Sequence, residues 1–307
     1  MTHTRISYVV IGMIWTFFAY TMFTTEPTAS TNKLNISPYV IVALRASIAL
    51  LYLLIWSAGI FAWCRAREYA QTIAHTSEGP AFHAIANGLL VLISGLVAAN
   101  VVGVVRSFNI SNPDIVMPAT IVVNYLYVLF PLAGFAFIYA GTQRLYQLLP
   151  KKILHMPQYV VGLFPVALLS VVYGLLIFTN PNRQIPSAYD IPASFYLSDV
   201  LIVATILIPV IIGWFLGVLS VMYITAYRKN TSNHVYKTVF VKFVYGIISI
   251  IASSVVLQVL LSLGSSRLSG VGIVVIIFLV FFFIGLQFAG YGLVAFGAKQ
   301  LKQIKKN

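Results

Sequence analysis

The sequence predicts an all-α, polytopic membrane protein with eight transmembrane helices arranged as a parallel 4+4 internal duplication. Three observations carry that expectation. The first is apolar content: 60% of residues are hydrophobic and 8% charged, far from globular usage. Apolar runs of about 17 residues or more recur along the chain, each long enough to cross ~30 Å of hydrocarbon as a helix. They do not alternate as barrel strands do, and in lipid only helices and closed barrels satisfy the backbone.

The second observation is internal repetition. Shifting the numbering by 158 carries Trp56 to Trp214, Gly59 to Gly217, Tyr69 to Tyr227, Gly88 to Gly246 and Asn100 to Gln258. A shift of 156 carries Gly134 to Gly290, Gly141 to Gly297 and Gln147 to Gln303. A two-residue indel before the last span of each half reconciles the two shifts. The halves are residues 1–150 and 151–307. Four helices per half is an even number, so both halves enter the membrane in the same direction and relate by a pseudo-two-fold along its normal.

The third is charge asymmetry. With spans alternating, 13 of the 19 lysines and arginines fall on the side of the N-terminus and 4 on the other, while Arg45 and Lys242 lie within spans. The positive-inside rule then places both termini in the cytoplasm of a plasma (cytoplasmic) membrane. The net charge of +13 is scattered over loops between spans. That fits topology and anionic headgroups, and nucleic acid is excluded as a partner.

In chain order, the first span runs to about Phe23. It has the outline of a signal peptide, but no small-x-small cleavage site follows, so it is expected to be retained. The second covers about 38–63, with a basic loop expected from Cys64 to Phe82. The third covers about 83–105 and the fourth about 119–142. The second half repeats the scheme at about 157–178, 195–223, 238–263 and 270–298, followed by a lysine-rich tail. Pro131, Pro165 and Pro209 fall inside spans and are expected to kink them. Cys64 is the only cysteine, which excludes an internal disulfide.

Scattered positions give a resemblance over nearly the whole chain. They include the run Leu34-Asn-Ile-Ser-Pro, Leu44-Arg45, Ile55-Trp56, Ala86-Asn87-Gly88-Leu89 and Asn124-Tyr125-Leu126. Tyr196-Leu197-Ser198-Asp199 and the ending Gly297-Ala-Lys-Gln-Leu-Lys-Gln-Ile complete the set. Together they resemble uncharacterised eight-helix integral membrane proteins of small-genome bacteria. The resemblance implies the same fold and brings no activity or functional residue with it.

Ionisable groups inside a span need a partner or a route to water. Arg45 lies about two turns, and Asp199 about one turn, below the outer surface. Arg45 shares a helix face with Trp56 and Gly59, as Asp199 does with Trp214 and Gly217. If those Trp–Gly packing faces meet, Arg45 reaches Asp199. The pair, with Asn100 and Gln258 in the outer half, then forms an outward-facing polar site. A structural ion pair, snorkelling charges and interhelical amide bonds are the bland reading of the same residues, and the commoner one.

No catalytic residue, metal site or cofactor is expected. His83 and His155 lack carboxylates at ligand spacing, Gly264-Ser265-Ser266 has no histidine on its side, and no H-E-x-x-H or phosphate loop occurs. Two function classes follow. One is a transporter-like or channel-like protein with a polar cavity between the halves. The other is a non-catalytic membrane receptor, scaffold or complex subunit. The expected partners are the lipid bilayer and a small ligand or membrane protein.

Overall fold

A computed structural model describes residues 2–24, 38–108, 113–149, 156–179, 203–231, 234–263 and 270–306. Among them there are eight α-helices and no strand: α1 Thr2–Thr24, α2 Pro38–Thr72, α3 Gly79–Phe108, α4 Pro113–Gln147, α5 Met156–Thr179, α6 Ile208–Asn230, α7 His234–Leu263 and α8 Gly270–Lys306. Six of them (α2, α3, α4, α6, α7 and α8) contain stretches long and apolar enough to cross a membrane. α1 and α5 contribute shorter apolar stretches, Tyr8–Tyr20 and Leu163–Val172.

Several helices run past the expected limits. The basic segment from Cys64 is not a loop. α2 continues to Thr72 and the turn occupies residues 73–78. Arg, Ala, Glu and Gln all favour helix, and Arg65 pairs with Glu68 three residues on. The face formed by Ala66, Tyr69, Ala70 and Ile73 is fully buried, which holds this extension against the core. The lysine-rich end behaves alike: α8 reaches Lys306, with Leu301 fully buried.

Proline has different effects by position. Pro113 opens α4 as its first residue, where a missing N–H is harmless. Pro131 and Pro165 lie within α4 and α5. Pro209 stands at the start of α6, just after a π-helical turn at Val203–Leu207. Such turns absorb an irregularity in the backbone ladder.

The principal helix contacts come in pairs. α3 packs on α4 and α7 on α8; α2 packs on α3 and α6 on α7; α1 packs on α2 and α5 on α6. Across the chain midpoint, α4 packs on α6 and α8 on α2. The tightest crossings use glycine in both pairs. A Cβ on Gly88 would lie 2.6 Å from the Gly134 carbonyl oxygen, and one on Gly246 would lie 2.8 Å from that of Gly290. Only glycine permits that backbone approach, as in small-residue contacts of membrane helices generally.

One end of the bundle gathers the C-terminal ends of α2, α4, α6 and α8 and the N-terminal ends of α3 and α7. Lys302 reaches Glu68, Tyr146 stacks on Tyr223, and the Tyr227 hydroxyl donates to Glu78. Arg65, Arg144, Arg228 and Lys299 share this basic end. Here Phe82 of α3 meets Phe240 of α7, centroids 6.2 Å apart, and each takes a tyrosine edge-on: Tyr69 on Phe82 and Tyr227 on Phe240.

Candidate functional site

Moving from the basic end along α3 and α7, the interior changes from aromatic to polar. Beyond the glycine crossings, α3, α4, α7 and α8 leave a cavity of about 30 Å³. Its polar lining comes from Tyr127, Ser254, Gln287 and Tyr291; Leu96, Pro131 and Phe135 are among the apolar walls. One turn further from the basic end lie Asn100 on α3 and Gln258 on α7, both buried.

Tyr127 joins these two amides. Its hydroxyl donates to Asn100 Oδ1 at 3.2 Å, and its backbone carbonyl accepts from Gln258 Nε2 at 3.3 Å. The second bond has a local cause in the sequence. In a helix the carbonyl of residue 127 takes the N–H of residue 131, and residue 131 is proline. Pro131 therefore frees the Tyr127 carbonyl, and a side chain from α7 satisfies it, as membrane helices require.

The hydrogen-bond inventory does not close. Asn100 Nδ2, Asn124 Nδ2 and Gln287 Oε1 are buried and make no hydrogen bond. The orientation of Gln287 follows from its neighbours. Ser253 donates its hydroxyl to the Ile250 carbonyl at 2.6 Å, so it can only accept from Gln287 Nε2, also at 2.6 Å. The Gln287 oxygen is the atom left over. Each such group costs roughly 1–3 kcal/mol when left without a partner.

The structure brings two of the sequence-predicted residues together. Asn100 and Gln258 come together through Tyr127, as described. Arg45 is half-buried in the eighth position of α2, four residues from Ala49, whose carbonyl accepts from the Trp15 indole of α1 at 3.0 Å. Asp199 lies outside the described residues. The Trp–Gly faces turn to different neighbours. Trp56 is fully buried against Phe18 of α1, centroids 5.4 Å apart, and Gly59 abuts Ile93 of α3. Trp214 clusters with Val128 of α4 and Val166 of α5, and Gly217 abuts Ile251 of α7. The two tryptophans sit in different core clusters, whereas Ile93 and Ile251, which the two glycines abut, belong to the same one. Both faces pack their helices, and the polar positions lie along α3, α4, α7 and α8 instead.

Three participants went unseen in the sequence. Nothing in the sequence marks Tyr127 as a bridge except Pro131 four residues on. Asn124 and Gln287 carry the signal that singled out Asn100 and Gln258, an amide inside an apolar run. Neither gains a polar counterpart on shifting by 156: Asn124 falls on Val280, and Pro131 falls on Gln287.

Among the described residues no group of histidine, cysteine and acidic side chains is placed to hold a metal. The fold and the polar interior together define a multi-pass helical membrane protein. No family model, curated protein or solved structure matches the chain.

Proposed function

We propose that the protein is a transporter-like or channel-like membrane protein in which a small solute passes between two like-oriented four-helix halves. The observation that carries this reading is a cavity at the meeting of α3, α4, α7 and α8 lined by Gln287, whose buried amide oxygen is unpartnered. The unpartnered amide nitrogens of Asn100 and Asn124 lie about one turn beyond its lining on α3 and α4. Polar groups without partners in a membrane interior are costly and mark pathways or binding sites. Sites in duplicated transporters lie between the repeats near the bilayer midplane.

The duplication is part of the proposal. It is supported by the matching helix contacts and by the glycine crossings, where Gly88–Gly134 and Gly246–Gly290 occupy equivalent positions under the two shifts. The proposal counts α1 and α5 as spans, for eight in all, and puts the basic end and both termini in the cytoplasm. Asn100 and Gln258 then lie toward the outside, on the side where Arg45 and Asp199 are placed by the same count.

Reconstitution tests the reading. Liposomes holding the purified chain should take up a small solute faster than empty ones, and Asn100→Leu with Gln258→Leu should abolish the difference. A folded protein that moves no solute of any class contradicts it. The second reading, a non-catalytic receptor, scaffold or complex subunit, is favoured by the smallness of the cavity. Under that reading the same two substitutions alter thermal stability alone, and gentle crosslinking in the membrane recovers a protein partner.

A further inference from the structure

We propose that the cavity between α3, α4, α7 and α8 is a binding site for one small, uncharged, hydrogen-bonding molecule of the size of water or ammonia, with Gln287 Oε1 as its acceptor. The inference rests on the passage reading and names the class of solute that passes.

Size sets the first limit. A volume of about 30 Å³ holds one or two water-sized molecules, each needing roughly 10–15 Å³ on this measure. Charge sets the second. No carboxylate, ammonium, guanidinium or imidazole lines the cavity. An ion there would lose its hydration against a largely apolar wall with nothing to replace it. The third limit is a specific acceptor. Gln287 is 8% exposed and lines the cavity. Its Nε2 is committed to Ser253, whose own proton is committed to Ile250. Its Oε1 is therefore fixed in place without a donor, and a guest bearing an N–H or O–H supplies one. Ser254 on α7 brings a further hydroxyl to the lining. A buried water-sized guest commonly makes two to four such bonds.

The test uses the full chain in liposomes with four probes: osmotic water flux, ammonia-driven internal alkalinisation, and potassium and chloride flux. The expected result is that water or ammonia crosses faster than in empty liposomes while potassium and chloride do not. Gln287→Leu should lower that rate about ten-fold, the factor that loss of one net hydrogen bond carries. Its thermal stability should fall only slightly: the bond from Nε2 to Ser253 is lost, while the Ser253 hydroxyl keeps its bond to the Ile250 carbonyl. Should that variant fail to fold, Ser254→Ala, which deletes one hydroxyl from the lining, is expected to show a smaller drop in the same direction. Passage of potassium or chloride overturns the uncharged class and leaves passage itself standing. Unchanged water and ammonia rates in the folded variant overturn the site. If no probe crosses in the wild type, this inference is overturned, and the passage reading falls only if no solute of any other class crosses either.

Discussion

At the basic end two contacts join helices from either side of the chain midpoint, and they are built from opposite chemistry. Between α2 and α8, Lys302 and Arg65 both bond the same Glu68 oxygen, at 2.9 and 3.0 Å, with all three side chains about one-third exposed. Between α4 and α6, Tyr146 stacks on Tyr223 at 4.9 Å, with Ala226 beside them, all three buried. The positions correspond under the two shifts: Arg65 to Tyr223, Glu68 to Ala226 and Tyr146 to Lys302. At corresponding sequence positions, one flank carries charges and the other carries rings. The difference predicts unlike responses to salt on the two flanks. Half-wet ion pairs add little and weaken with salt; buried aromatics carry large packing energies that salt hardly changes.

The largest expected effect is on the aromatic flank. Tyr223→Ala should destabilise the protein by about 3 kcal/mol, toward the low end for deletion of a buried ring. Thermal unfolding in detergent should give nearly the same loss at low and high salt. Next come the glycine crossings, where the halves are alike. Gly88→Ala and Gly246→Ala should each cost about 2 kcal/mol through overpacking. Similar losses in the two variants support equivalent halves, whereas a loss confined to one separates them. Grafting the rings onto the ionic flank with Arg65→Tyr, Glu68→Ala and Lys302→Tyr together should be neutral or stabilising by ~1 kcal/mol, as when packed side chains replace an ion triad. A collapse of stability there means the charges fix the α2–α8 geometry. The smallest effect is Glu68→Gln, about 0.5 kcal/mol at low salt and nothing measurable near 1 M. A larger loss at high salt than at low contradicts the electrostatic account of that contact.

The helices and their order were legible because hydrophobic runs of spanning length leave few alternatives. Their ends were less so. Arg65, Arg67 and Lys302 look like loop charges in sequence, yet they ride on helices that extend past the apolar run. What keeps those turns helical is burial of Tyr69, Ile73 and Leu301 against other helices, which local sequence does not display. The polar interior was half legible. Asn100 and Gln258 stand out as amides in apolar surroundings. That they meet through Tyr127 depends on a carbonyl freed by Pro131 and on α4 lying beside α7, a tertiary fact. Gln287 does not stand out by repetition, because its counterpart is that same proline.

The central claim is that the two halves enter the membrane in the same direction, which makes Gln147 and Gln303, both exposed near the ends of α4 and α8, equivalent positions. With Cys64→Ala as background, Gln147→Cys and Gln303→Cys can each be labelled in whole cells and in inverted vesicles with a membrane-impermeant maleimide. Both thiols should react in inverted vesicles and stay protected in whole cells. Reaction of the two from opposite faces of the membrane contradicts the account.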